Sequence, residues 1–159
     1  MLFLACTYQA NECTEVYLIR HAEKDRSDSL NKNPHLNQDG GKRSLLWNLY
    51  FENKKIDAIY STNYNRTIET ILPISIAKGI KPIIYSASGI NYDSFLKKQK
   101  GKRVLVVGHS NTIPDFVNGL IEEDYYGQIN DTVNSNLYIV KKCPDKINHN
   151  VIQIHSLQQ

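Results

Sequence analysis

The sequence lacks most of the features that mark specialised classes of protein. Its 159 residues contain no internal repeat and no low-complexity block, and this length fits a single domain. The net charge of +3 favours the approach of an anionic substrate, but it is too weak to indicate nucleic-acid binding. With 41% hydrophobic and 22% charged residues, the composition is that of an ordinary globular protein.

Histidines are few, and their spacing is not that of a metal site. No two of them stand at the helical spacing of a zinc motif. A metal-dependent hydrolase with His21, His109 and Glu23 as ligands is therefore a minor alternative, and we expect neither a metal nor another cofactor. The remaining histidines are interpreted as structural or surface residues: His35, His149 and His155.

The first informative stretch is an apolar run that ends abruptly in polar residues. Residues 16–19 are apolar, and Arg20, His21 and Glu23 follow within four positions. Such a run predicts a buried strand of a parallel sheet, whose carboxyl end opens at the edge where ligands bind. Arg20 would then be placed for forked hydrogen bonds to a phosphate or carboxylate, unless the strand simply ends in solvated polar residues.

Two further stretches repeat this pattern. The apolar residues 104–107 lead through Gly108 to His109 and to a helix whose free amide groups would favour an anion. A short strand over 56–60 leads to a helix that carries Arg66 in its first turn. Because the carboxyl ends of parallel strands share one edge, two arginines and two histidines could converge on one anion.

These stretches together resemble the histidine phosphatase superfamily, which has the phosphoglycerate mutase-like fold. The resemblance is carried, in the family's order, by Leu18-x-Arg20-His21-Ala22-Glu23, by Tyr60-Ser61 followed by Arg66-Thr67-x-x-Thr70, and by Gly108-His109-x-x-Thr112. A fourth element, Leu36-Asn37-Gln38-Asp39-Gly40, is similar to the family's Leu-Thr-x-x-Gly, and Asn37 can cap a helix as Thr does. The resemblance covers roughly residues 14 to 157.

The resemblance implies a three-layer α/β fold with helices on both faces of a sheet. This sheet would have six mainly parallel strands, one of them antiparallel, within a domain over 14–159. The implied chemistry is that of a cofactor-independent phosphatase: His21 takes the phosphoryl group as a phosphohistidine, which water then hydrolyses. The implied phosphate-binding residues are Arg20, His21, Arg66 and His109.

The proton donor is less well defined by the sequence. The family commonly takes a carboxylate from the segment after the third strand, and Asp93 is the only acidic residue between Glu69 and Arg103. An Asp at this position is also an ordinary helix cap, and Glu23, two residues from the nucleophile, competes for the role.

The substrate class stays open at this stage. A small phosphorylated compound or a phosphoprotein would serve, as a phosphomonoester or a phosphoramidate, and compact members of the family hydrolyse protein phosphohistidine. A mutase is disfavoured, because mutase-type members carry long insertions for which 159 residues leave no room. A binding module with feeble turnover is the alternative if the general acid is missing.

The N-terminal segment over 1–13 differs from the rest of the chain. Phe3-Leu4-Ala5-Cys6 resembles the end of a bacterial lipoprotein signal, so either the true start lies upstream or the likeness is accidental. The family resemblance implies that the strand before Cys143 pairs antiparallel with the strand after Cys13, which predicts a disulfide between them. Lipidation of Cys6 and this disulfide both require export, and the lipid on Cys6 would attach the protein to a membrane; the alternative is three reduced cysteines in a cytosolic enzyme.

Helical periodicity predicts two of the buried helix faces. A helix over about 38–53 would bury Leu45, Leu46 and Leu49, with Trp47 in a packing role. The helix over about 63–78 would bury Ile68, Ile71, Leu72 and Ile76. The resemblance places the polar loop over 24–34 above the active site.

Overall fold

The computed structural model describes residues 13–155. Six strands form one sheet: β1 (Thr14–Arg20), β2 (Ala58–Ser61), β3 (Ile83–Ile84), β4 (Arg103–Gly108), β5 (Asn136–Lys142) and β6 (Ile147–Gln153). The four helices are α1 (Gln38–Phe51), α2 (Asn65–Lys78), α3 (Tyr92–Lys98) and α4 (Thr112–Ile121).

The strand order is β3-β2-β4-β1-β5-β6. Strands β1 to β4 are parallel, β5 pairs antiparallel with β1, and β6 pairs antiparallel with β5. Only β5 therefore runs in the opposite direction, which confirms the predicted fold class. The three motif-bearing strands are neighbours, with Arg20 opposite Gly108 and Ser61 opposite Val107, so their carboxyl ends meet at one edge.

Two apolar clusters cover the two faces of the sheet. On one face, α4 buries four apolar side chains against alternate residues of β1 and β4: Ile113, Phe116, Val117 and Leu120. The other face is covered by side chains of α1 and α2: Trp47, Phe51, Ile71 and Ile74. This alternation along β1 and β4 is what a strand covered on both sides requires.

The predicted inner faces of α1 and α2 are partly wrong. Leu45 and Leu49 are 58% and 50% exposed, and Leu72 and Ile76 are 47% and 71% exposed. Small polar residues take the inward positions, because their hydroxyl groups find backbone acceptors there. Ser44 donates to the Glu69 carbonyl, and Thr67 and Thr70 are fully buried.

Close backbone contact fixes how α1 begins. Asn37 caps the helix as expected, and its side chain accepts from the Gly40 amide. A Cβ atom at Gly40 would lie 2.0 Å from the Glu23 carbonyl oxygen, so only glycine fits this position. This contact joins α1 to the segment that follows β1.

A disulfide joins Cys13, before β1, to Cys143, after β5. The antiparallel pairing of β1 with β5 brings these two ends of the chain together. Cys6 lies outside the described residues.

Within residues 13–155, none of the helices has the length and apolar character needed to cross a membrane.

Candidate active site

The four predicted phosphate-binding residues line one open cavity of about 1110 Å³ at the carboxyl edge of the sheet. Arg20 ends β1, His21 follows it, His109 follows β4, and Arg66 lies in the first turn of α2. The rings of His21 and His109 meet edge to face, with their centroids 5.5 Å apart. The fold thus brings together side chains from three separate segments.

The His21 ring is held in one tautomer. Its Nδ1 lies 2.7 Å from the Ala22 carbonyl oxygen, which can only accept a hydrogen bond. Nδ1 therefore carries the proton, and in the neutral ring Nε2 keeps a free lone pair. A nitrogen with such a lone pair is what a nucleophilic histidine needs.

Burial keeps the His21 ring neutral. His21 is only 4% exposed, and this burial lowers its pKa to about 3. The Ala22 carbonyl opposes the shift, whereas the charges of Arg20 and Arg66 add to it. At neutral pH the ring is therefore uncharged, with its one proton on Nδ1 and its Nε2 available for attack.

The backbone around His21 is anchored from three sides. The His21 amide donates to the Gly108 carbonyl at 2.9 Å, and its carbonyl accepts from Asn134 Nδ2 at 2.8 Å. The Ala22 amide donates to Thr70 Oγ1, which in turn donates to the Arg66 carbonyl. Thr70 thereby connects the His21 segment to the helix turn that presents Arg66.

His109 is neutral and adopts the other tautomer. Its Nδ1 faces Arg66 Nη2 at 3.4 Å, and a guanidinium can only donate, so Nε2 donates to Thr62 Oγ1 at 3.0 Å. Burial lowers its pKa to about 4, and the nearby cations Arg66, Arg20 and Lys24 lower it further. His109 could therefore take up a proton at Nδ1 once an anion is bound.

Arg20 is held by a loop that the sequence analysis did not single out. Its Nη1 lies 3.0 Å from each carbonyl oxygen of Asn130, Asp131 and Val133, and its Nη2 lies 2.6 Å from Asp131 Oδ1. Polar loop residues without periodicity give no sequence signal for such a contact over 110 positions along the chain.

Both arginines retain buried donors that face no acceptor. Within the described part of the chain, Arg20 Nε and Arg66 Nε are buried and have no hydrogen-bond partner. A buried, charged N–H without an acceptor is costly, and because both arginines line the same cavity as His21 and His109, an anion bound there would supply the missing acceptors. The Tyr64 ring, which is 41% exposed, lies beside Arg66 and His109. Its centroid is 4.5 Å from Arg66 Cζ and 5.0 Å from the centroid of the His109 ring.

The two predicted proton donors lie away from this cavity. Asp93 is exposed on α3 and does not line it. Glu23 is held by Arg43, whose Nε lies 2.8 and 2.9 Å from its two oxygens, and it lines a smaller cavity on the other side of His21. The carboxylates that line the main cavity are those of Asp115 and Asp131.

Among residues 13–155, His, Cys, Asp and Glu side chains form no group of three that could hold a metal ion. The metal-dependent alternative needs His21, His109 and Glu23 as ligands, but the Glu23 carboxylate is already paired with Arg43.

Residues 16–87 match the model of the histidine phosphatase superfamily (branch 1), and this range contains the Arg20-His21 and Arg66 motifs. Over this range, which is less than half of the chain, the sequence is similar to that superfamily. The Gly108-His109 motif lies beyond the matched range, and its place beside the other motifs rests on the fold. No curated protein matches the chain in sequence.

Solved structures match the fold over almost its whole length. The protein histidine phosphatase SixA complexed with tungstate has a TM-score of 0.70 at 12% identity, covering 87% of this chain and 96% of that one. A candidate alpha-ribazole-5'-P phosphatase from Escherichia coli K-12 has a TM-score of 0.72 at 12% identity, with coverages of 92% and 98%. A mycobacterial glucosyl-3-phosphoglycerate phosphatase has a TM-score of 0.66 at 10% identity, with coverages of 89% and 98%.

Proposed function

We propose that this protein is a histidine phosphatase, which hydrolyses a phosphomonoester or a phosphoramidate through a phosphohistidine on His21, without a cofactor. The observation that carries the proposal is the pair of buried, unpartnered Nε groups of Arg20 and Arg66 beside the free Nε2 of a neutral imidazole. Donors for the oxygens of a phosphoryl group and a nucleophile for its phosphorus then lie in one cavity.

Binding comes first. Arg20 has five N–H donors, of which the two on Nη1 and one on Nη2 serve the 130–133 loop. Nε–H and the second Nη2–H remain for phosphoryl oxygens, and Arg66 Nε–H adds a third donor. A bound dianion would raise the pKa of His109 and favour a proton on its Nδ1, which then becomes a further donor.

Transfer follows in two balanced steps. His21 Nε2 attacks phosphorus, and a P–N bond forms while the bond to the leaving group breaks; the leaving group departs with the electron pair and takes a proton from solvent water in the open cavity. Water then attacks the phosphohistidine, and an O–P bond forms as the P–N bond breaks. The attacking water gives a proton back to the solvent, inorganic phosphate leaves, and Nε2 of the imidazole regains its lone pair. The neutral state of His21 before binding supports its role as the attacking group.

The leaving-group side of the cavity supports a phosphoramidate as the preferred class. The segment after β3 contributes Tyr85, Ser86, Ala87 and Ser88 to the lining, and none of these is a carboxylic acid. An alkoxide leaving group needs a proton donor, whereas an imidazole leaving group needs less help. A protein phosphohistidine would therefore suit the site better than an alkyl phosphate.

A phosphate-binding module with feeble turnover is the second candidate. It is favoured by the position of Asp93 and Glu23, since neither lies on the main cavity. Such a protein would keep the anion site and lose only the protonation step.

The test is hydrolysis of phosphoimidazole, an aryl phosphate and an alkyl phosphate in the presence of EDTA, with a rapid alkaline quench. We expect turnover of the first two, and an acid-labile, alkali-stable phosphoprotein that His21→Ala abolishes. We expect the alkyl phosphate to react at least about 100-fold more slowly, which is the usual size of a general-acid contribution.

His155→Ala is the matched control, because it removes an exposed imidazole that does not line the cavity. Phosphate binding without turnover or phosphoenzyme, on all three compounds, would favour the binding module. Equal turnover of His21→Ala and wild type would exclude His21 as the nucleophile.

A further inference from the structure

Asp131 places a carboxylate inside the site that is proposed to bind a phosphoryl dianion. Its Oδ1 lies 2.6 Å from Arg20 Nη2, and its Oδ2 lies 2.8 Å from Arg26 Nη2. Its side chain is 64% exposed and lines the same cavity as His21 and His109. A phosphoryl group at Arg20 would therefore meet a negative charge next to it.

Arg20 does not depend on this carboxylate for its orientation. Three backbone carbonyls of the 130–133 loop already hold its Nη1. The loop is itself fixed, because the Ile129 amide donates to the Ser110 carbonyl and Asn134 Nδ2 donates to the His21 carbonyl. The Asn130 side chain accepts from the amide and hydroxyl of Thr132 and closes the turn. What the Asp131 side chain adds to the site is negative charge.

The other charges around the cavity do not cancel this effect. Arg26 is 55% exposed, and an ion pair between such exposed groups is weak and screened by solvent. Arg20, Lys24 and Arg66 also line the cavity, and Asp115 is a second carboxylate in the lining. A substituent that lies next to Asp131 or Asp115 therefore meets a carboxylate.

We propose that Asp131 is a specificity-determining residue that disfavours ligands with a second negative charge beside the phosphoryl group. The site then selects phosphoryl groups carried by a neutral or cationic organic group, such as an imidazole or an amine-bearing chain. This inference rests on the proposed function only for the position of the phosphoryl group at Arg20 and Arg66.

The test measures binding without turnover. Phosphonates of similar size carry a C–P bond that cannot be hydrolysed in this way, so calorimetry on the wild type and Asp131→Asn can use 2-aminoethylphosphonate, propylphosphonate and phosphonoacetate. Wild type should bind phosphonoacetate the most weakly. In Asp131→Asn the dissociation constants of all three phosphonates should fall. The dissociation constant of phosphonoacetate divided by that of 2-aminoethylphosphonate should fall at least about fivefold, which is the effect of removing the repulsion between two unit charges close together in water.

Asp28→Asn is the control, because it removes the same charge from an exposed position on the 24–34 loop that does not line the cavity. Its ratio should equal that of the wild type. Asp131→Ser repeats the test should the Asn variant fold poorly by circular dichroism.

An unchanged ratio in Asp131→Asn would overturn the proposal. Equally weakened binding of all three ligands would also overturn it, because that result indicates that Asp131 orients Arg20. Failure of the wild type to bind any phosphonate would overturn it together with the anion site. Selective binding without hydrolysis of any phosphate compound would leave it standing and refute only the phosphatase activity.

Discussion

The low pKa of His21 makes the stability of the protein depend on pH in a predictable window. The pKa is about 3 in the folded protein against an ordinary value of 6.5. Between these two pH values the imidazole is protonated in the unfolded chain but neutral in the folded protein. The stabilisation is complete above about pH 6.5 and is lost as the pH falls towards 3. At pH 5 the loss amounts to about 2 kcal/mol relative to pH 8.

His109 adds to the same trend. Its pKa of about 4 also lies below pH 5, so the same relation gives at most about 2 kcal/mol at pH 5. Because the two rings are in contact, the two effects are coupled and their sum is an upper limit.

The assay is urea unfolding of wild type and His21→Asn at pH 8 and pH 5. Asn is uncharged at every pH, so the variant should lose about 2 kcal/mol less stability than the wild type between these values. His155→Asn, on the exposed end of the chain, controls for the loss of an imidazole as such. An equal pH dependence in His21→Asn and wild type would refute the account of a buried, neutral nucleophile.

Two further predictions concern the scaffold. Gly40→Ala should destabilise the protein by about 2–4 kcal/mol in urea unfolding, because the added Cβ would collide with the Glu23 carbonyl. The control Gly41→Ala places its Cβ in open space and should be neutral or stabilising, and equal effects of the two substitutions would contradict this packing. Cys13→Ser should lower stability by about 4 kcal/mol, since the disulfide closes a separation of 130 residues, and the loss should match that of wild type treated with reductant; no difference between reduced and oxidised wild type would exclude the bond.

Local sequence patterns predicted the strands and the helix starts that carry the motifs. An apolar run of four to six residues cannot be buried on both faces except in the interior of a sheet, which fixed β1 and β4 as central strands. Asn37 caps α1 by its own side chain, so its role also follows from local chemistry. Such features depend on neighbouring residues and are readable without the fold.

Other parts of the site depend on contacts between distant segments. The 129–134 loop binds Arg20, His21 and the Ser110 carbonyl, yet it contains no periodic pattern and no motif that a single sequence would reveal. The inner faces of α1 and α2 were misassigned for a related reason. Burial of Ser44 and Thr70 depends on acceptors in other segments, whereas hydrophobicity alone favoured Leu45 and Leu72.

The charge balance of the cavity links the proposed mechanism to the proposed selectivity. With both imidazoles neutral, the lining carries three cations and two carboxylates, because Asp115 and Asp131 oppose Arg20, Lys24 and Arg66. A bound phosphoryl dianion reverses this excess, and proton uptake by His109 would restore neutrality. A ligand with a further negative charge leaves the cavity anionic even after that uptake, whereas a cationic group balances it. The carboxylates that limit the positive charge of the cavity therefore also limit the negative charge of the ligand that fits it.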